Sequence, residues 1–264
     1  MGQISQELSL ANWGVLVTRP KLQADDLCVA IESHGGRAIR FPVVEIASPV
    51  NFDSLYSIIR HLEDFDIAIF ISPNAVSKAL DLLKNQQCVL PESLSIAAVG
   101  KGSAKALSAN GLRVDIFPQQ QFNSEALLSQ AEMNQVQNKR ILIFRGEGGR
   151  ELLAATLRQR GAKVTYAEVY RRLKPKCDIA TLIRQWSKID VVTVTSNGGL
   201  CNLYEMMGDV GRARLLSAQL LVVSHRAASL AKKMGFSKPA WVTKEASNGA
   251  IIEALQQIKL NCGK

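Results

Sequence analysis

Cysteine is scarce and scattered in this chain. Its five residues, Cys28, Cys88, Cys177, Cys201 and Cys262, are odd in number and never form a C-x-x-C pair, so neither a disulfide framework nor a zinc site is indicated. Reduced, structural thiols are expected. The three histidines, His34, His61 and His225, lie far apart with no metal-ligand spacing, and no metal is expected. No apolar run approaches the roughly 18 residues of a membrane span, and the start, MGQISQELSLANWGVLV, lacks the basic and apolar regions of a secretory leader. A soluble cytoplasmic protein without a membrane partner is expected. Phosphate-binding signatures are missing too: no G-x-x-x-x-G-K-[ST] occurs, and Gly146, Gly148 and Gly149 miss G-x-G-x-x-G because Glu151 stands at the third glycine position.

Positive charge is in surplus. The formal net charge of +9 points to an anionic partner, but lysine and arginine are spread along the chain without a basic run, and aromatics make up only 6%. That pattern argues against nucleic acid and for a small polyanion. With 264 residues and 47% hydrophobic content, the chain is long enough for one large domain or two ordinary ones.

Apolar β-rich runs alternate with helix-period segments: GVLVTR, FPVVEI, DIAIFIS, SIAAVG, RILIFRG, VTYAEVY, DVVTVTS and LLVVSH. Such alternation predicts an α/β fold with parallel sheets covered on both faces. The runs also repeat. Ser72 to Gly100 and Ser196 to Ser224 both span 28 positions, and Arg19 to Gly35 and Arg145 to Gly161 both span 16. Two copies of an α/β half therefore read as units 14–46, 66–118, 140–172 and 190–243, in the order A, B, A′, B′. A simple cut near 120–139 would divide them into consecutive domains. Alternatively FPVVEIASPV and AEVYRRLKPK are paired strands crossing between domains, so that A packs with B′ and B with A′.

The motifs VLVTRP, FPVVEI, IFISPNAV, AAVGKGSAKAL, IFRGEGGRELL, RGAKVTYAEVYRR, VTSNGGL and VVSHRAASLAKKMGF occur in order over nearly the whole chain, and in this the chain resembles the uroporphyrinogen-III synthases. The resemblance implies two flavodoxin-like parallel-sheet α/β domains joined by a two-stranded linker. It selects the interleaved cut, 12–42 plus 174–264 for a discontinuous first domain and 45–171 for the second. It also implies a cofactor-free lyase of tetrapyrrole biosynthesis. Such an enzyme takes hydroxymethylbilane, a linear tetrapyrrole polycarboxylate, removes its hydroxyl as water and closes the macrocycle with the last ring inverted. A monomer with a transient contact to the preceding pathway enzyme is the partner expectation.

A flexible polyanion must be held folded before its ends can react. Strand-to-helix turns suit that task, because free amides and the helix dipole favour carboxylates. The substrate-binding candidates on these turns are Arg19, Ser72, Lys101, Ser103, Arg145, Gly146, Gly148, Ser196, Asn197 and Arg226. The glycine turn of ILIFRGEGGREL reads as bare amides at a helix start. Ser72 and Ser196 are equally natural N-caps, and Arg19 and Arg145 equally solvated or capping residues. Tyr170 matches the family's tyrosine proposed as proton donor, and a phenol is protonated at neutral pH. The competing reading of Tyr170 is an aromatic packed on a half-buried strand. At SHRAA the chain lacks the threonine pair of some relatives, so Arg226 takes the place of a hydroxyl there. A non-catalytic two-lobed ligand-binding module is the alternative from another class.

Overall fold

GVLV, IAIF and VVTV, three apolar tetrapeptides, become strands buried on both faces. The computed structural model describes residues 9–262, apart from the side chains of Leu22 and Cys262. The reading of residues 1–8 as leaderless and of Cys262 as a thiol falls outside the described residues. Along the chain come β1 (Gly14–Val17), α1 (Lys21–Ser33), β2 (Arg37–Arg40), β3 (Glu45–Ala47), α2 (Asp53–Ile59), β4 (Ile67–Phe70) and α3 (Pro73–Asn85). Then follow β5 (Ser95–Ala98), α4 (Lys101–Ala109), α5 (Ser124–Leu128), α6 (Ala131–Asn134), β6 (Arg140–Gly146), α7 (Leu152–Gln159) and β7 (Lys163–Leu173). The last third holds α8 (Ile179–Arg184), β8 (Val191–Val194), α9 (Asn197–Ser217), β9 (Gln219–Val222), α10 (His225–Lys233), β10 (Trp241–Val242) and α11 (Asn248–Cys262). Gly208, at φ 53°, kinks α9.

The chain divides into two compact units: residues 1–45 with 173–264, and residues 46–172. Unit 1 carries a five-stranded sheet in the order β10-β9-β8-β1-β2, and unit 2 one in the order β3-β7-β6-β4-β5. The recorded strand pairs are parallel, with β1 on β8 and β6 on β4. β1 and β2 thus share a sheet with β8, β9 and β10, and β6 and β7 share one with β4 and β5. The order β9-β8-β1-β2 repeats as β5-β4-β6-β7, the topological form of the sequence duplication. The chain passes between units at 45/46 and 172/173, within β3 and β7, which are neighbours in one sheet.

Period-2 alternation sorts each strand's residues to two faces. In unit 2, Ala68, Phe70, Leu142 and Phe144 join the core under α2, α3 and α4, whereas Ile67, Ile69, Ile141 and Ile143 join the one under α5, α6 and α7. Phe70 and Phe144 stack at 4.7 Å between centroids. In unit 1, Leu16, Val192, Val194 and Leu220 pack under α8, α9 and α10, and Val15, Val17, Val191 and Leu221 under α1 and α11. Cys28, Cys88, Cys177 and Cys201 are free, and burial pushes the Cys28 and Cys177 thiols up.

One strand expectation fails. FPVVEI reads as a continuous strand, but β2 ends at Arg40 and β3 begins at Glu45. Pro42 has no N–H to give to a ladder, and the neighbouring Phe41 and Val43 amides turn instead to the carbonyls of Val17 and Thr18.

Candidate functional site

Ligands of open α/β sheets bind beyond the carboxyl ends of strands, where the strand order reverses. In unit 2 that point lies between β4, which leads to α3 on one face, and β6, which leads to α7 on the other. A cavity of about 290 Å³ opens there, with Ile71 after β4, Val99 after β5, Gly146 at the end of β6, and Arg150 and Arg172 among its lining.

A β-bulge brings Tyr170 level with the end of β6. Arg145 stands opposite Glu168, but Gly146 stands opposite Tyr170, so β7 carries one extra residue. Val169 and Tyr170, although adjacent, consequently both enter the core beneath α3. Gly146 provides the room: a Cβ there would lie 2.5 Å from the Tyr170 ring. Tyr170 has no exposed surface, and its hydroxyl lies 3.2 Å from Ser72 Oγ while accepting from Arg172 Nη2 at 2.9 Å. Ser72, half-buried, also caps α3 by accepting from the Ala75 amide at 3.1 Å.

Arg145 is 3% exposed and engaged on every side. Its Nη1 donates to Glu151 Oε1 at 3.0 Å, Nε to the Gly146 carbonyl at 3.3 Å and Nη2 to the Gly148 carbonyl, and its guanidinium lies 4.4 Å over the Tyr166 ring. Tyr166 in turn donates to Glu151 Oε2 at 2.5 Å. These two hydrogen bonds, Tyr166 first and Arg145 second, hold the Glu151 carboxyl below the usual carboxylate value. Burial, followed by the bond to Glu151, pushes the Tyr166 hydroxyl up.

The glycine turn differs from its expected form. Gly148 and Gly149 adopt φ of 66° and 107°, and α7 begins only at Leu152 with no side-chain cap. The glycines therefore form a left-handed loop ahead of the helix rather than its first turn. The Gly148 amide points at a carboxylate, Glu168 Oε1, at 3.4 Å.

The remaining candidates spread over both units. Lys101 and Ser103 occupy the first turn of α4, with Lys101 lying 4.6 Å over the Phe122 ring and Ser103 2% exposed. Gly102 abuts Pro73 at the start of α3, where an added Cβ would meet Cγ at 3.0 Å. In unit 1, Ser196 caps α9 through Gly199, Asn197 opens that helix, and Arg226 is exposed in the first turn of α10, which Ser224 caps through Ala227. Arg19 donates to Asn248 Oδ1 at 2.6 Å at the start of α11, and burial draws its guanidinium below the ordinary value. The structure thus joins Ser72, Tyr170 and Gly146 in one cluster, with Arg145 and Gly148 at the adjoining loop. Sequence reasoning missed Arg172, Glu151 and Tyr166; for Arg172 the usable signal was its i+2 spacing from Tyr170, which puts both on one strand face.

The family model described as Uroporphyrinogen-III synthase HemD matches residues 25–253. The chain is 34% identical to the Escherichia coli (strain K12) uroporphyrinogen-III synthase, covering 92% of this chain and 99% of that protein. Identity to the Salmonella typhimurium enzyme is also 34%, with the same coverage. Among solved structures, a mutant uroporphyrinogen III synthase from the extremely thermophilic bacterium Thermus thermophilus superposes with a TM-score of 0.61 at 19% identity, covering 93% of this chain and 99% of that one. The Helicobacter pylori 26695 structure gives 0.59 at 16%, covering 95% and 99%. Both structural matches speak to the fold alone.

Proposed function

The chain belongs to the uroporphyrinogen-III synthase family and carries that function, and from this premise we propose a hydro-lyase that draws on Tyr170 for the proton its substrate's hydroxyl needs to leave. The substrate on this reading is hydroxymethylbilane. Protonation of its terminal hydroxyl releases water and leaves an azafulvene cation, which a pyrrole carbon attacks to close the inverted macrocycle. The observation that supports the assignment is the bulge that brings Tyr170 level with Gly146 at the carboxyl end of β6, with its hydroxyl between Ser72 and Arg172.

The other candidates serve positioning. In unit 2, backbone amides at the starts of α3 and α4, together with Arg150 and Arg172, suit carboxylates; in unit 1, taken by itself, those at the starts of α9 and α10, with Arg226, are of the same kind. Arg145 belongs to the protein's own scaffold on this reading, because its three donor nitrogens hold the glycine loop and Glu151. The non-catalytic binding module is not favoured by the family match.

Incubation with enzymatically generated hydroxymethylbilane, followed by separation of the oxidised isomers, tests the activity. Type III product is expected; exclusive type I product, as in spontaneous closure, would defeat the reading. Tyr170→Phe tests the acid, with a fall in kcat on the order of 100-fold or more expected. An unchanged rate of type III formation would leave Tyr170 a packing residue.

A further inference from the structure

Tyr170 has no exposed surface, so its hydroxyl cannot touch a substrate at the sheet edge. Ser72, at 3.2 Å from it, is half-buried and stands two residues beyond the carboxyl end of β4, as the N-cap of α3. Resting on the assignment of Tyr170 as the proton's source, we propose that Ser72 delivers that proton to the substrate and that Arg172 sets the direction of the transfer.

The hydrogen-bond inventory fixes the direction. A guanidinium only donates, so Arg172 Nη2 fills one acceptor position of the Tyr170 oxygen and offers no place for the phenolic proton. Two orientations then remain for the Tyr170–Ser72 contact. If Ser72 donated, the Tyr170 proton would have no acceptor among the described residues and would be a buried unsatisfied donor, costing roughly 1–3 kcal/mol. If Tyr170 donates, every group is paired. Ser72 Oγ then accepts from both Tyr170 and the Ala75 amide, which occupies its two lone pairs and leaves its own proton to point away from them. The donors thus run from Arg172 through Tyr170 to Ser72, and outward.

The step balances. Ser72 Oγ gives its proton to the substrate's hydroxyl oxygen, the carbon–oxygen bond breaks with its electron pair leaving on water, and Ser72 takes the proton of Tyr170. A tyrosinate remains beside the Arg172 guanidinium, whose charge offsets it within a buried pocket. When the closed macrocycle regains aromaticity, the proton shed from the pyrrole carbon returns through Ser72 to Tyr170. The net change is the loss of one water from the substrate. Ser72 is then the catalytic residue in contact with the substrate, and Arg172 a positioning residue.

Six variants, one of them double, test this against the same substrate, with kcat, KM and the urea midpoint of each. Ser72→Asn keeps a strong N-cap but has no hydroxyl, and should lose on the order of 100-fold in kcat with KM and midpoint little changed. Ser72→Thr, which keeps cap and hydroxyl, should restore kcat to within about ten-fold of the parent, and Arg172→Lys should likewise exceed Arg172→Gln. Combining Ser72→Asn with Tyr170→Phe should cost no more than either alone, since the two act as one unit. A proton inventory in mixed water and deuterium oxide should curve for the parent, reflecting more than one proton in flight. Ser72→Asn turning over at the parental rate while Tyr170→Phe fails would overturn the relay and leave Tyr170 acting directly. A parental rate in Tyr170→Phe would instead sink the assignment of the acid on which the relay rests.

Discussion

At the scale of single residues, the contacts around β6 and β7 are tight enough to make sharp demands. Gly146→Ala places a Cβ 2.5 Å from the Tyr170 ring. The ring must move, at about 1–3 kcal/mol of stability, so a lowered urea midpoint is expected together with lost type III formation; parental values for both would show that the ring yields freely. The Arg145, Glu151 and Tyr166 set makes a pH prediction. Glu151 has a lowered folded value, so its contribution is complete above the ordinary carboxylate value and is lost as pH falls through the lowered one. Tyr166 has a raised value, so its contribution is complete below the ordinary phenol value and is lost as pH rises through the raised one. Protection factors for amide exchange of residues 146–151 should therefore be highest near neutral pH and fall toward both extremes, and Glu151→Gln should abolish the acid-side change. Of this chemistry, the sequence showed Tyr170, Ser72 and the glycines. Arg172 was legible only through its i+2 spacing from Tyr170, whereas Glu151 and Tyr166 meet Arg145 through a left-handed glycine loop whose path no residue spacing announces.

Secondary-structure elements were the most legible level. Matched offsets of 28 and 16 residues between the halves became matched strand orders, because a duplicated α/β half must present its apolar strands to equivalent neighbours. Serines at the repeat positions became helix caps: Ser72, Ser196 and Ser224 each accept from the amide three residues on. Replacing Ser224 with Ala should cost about 1 kcal/mol in urea unfolding, and Ser224→Asp should recover most of it; equal loss in both would remove capping as the cause. Where elements were misread, a local backbone property was responsible. Pro42 interrupts what looked like one strand, and two left-handed glycines delay α7 beyond the place its apolar pattern suggested.

For the whole molecule, charge is the property that reaches furthest. A net charge of +9 facing a polycarboxylate should speed its capture, so kcat/KM should fall steadily as sodium chloride rises from low to physiological strength, with kcat far less affected. A flat salt response would mean that binding relies on short-range contacts alone. The two units differ in how their strands are gathered. Unit 2 is one stretch of chain and contains both core faces of its sheet, so a 45–173 fragment should unfold cooperatively by itself. Unit 1 must wait. β1 lies inside its sheet, between β8 and β2, yet the Gly14 amide bonds to Asp190, 176 residues later. At about 5–20 residues per second on the ribosome, a fully apolar strand is without its inner neighbour for roughly 10–35 s after it is made. During that interval the nascent chain presents an unpaired strand edge of the kind that recruits other chains, while the later-begun unit is already complete. The enzyme is built from the inside of its sequence outward, and its first strand is among the last elements to be secured.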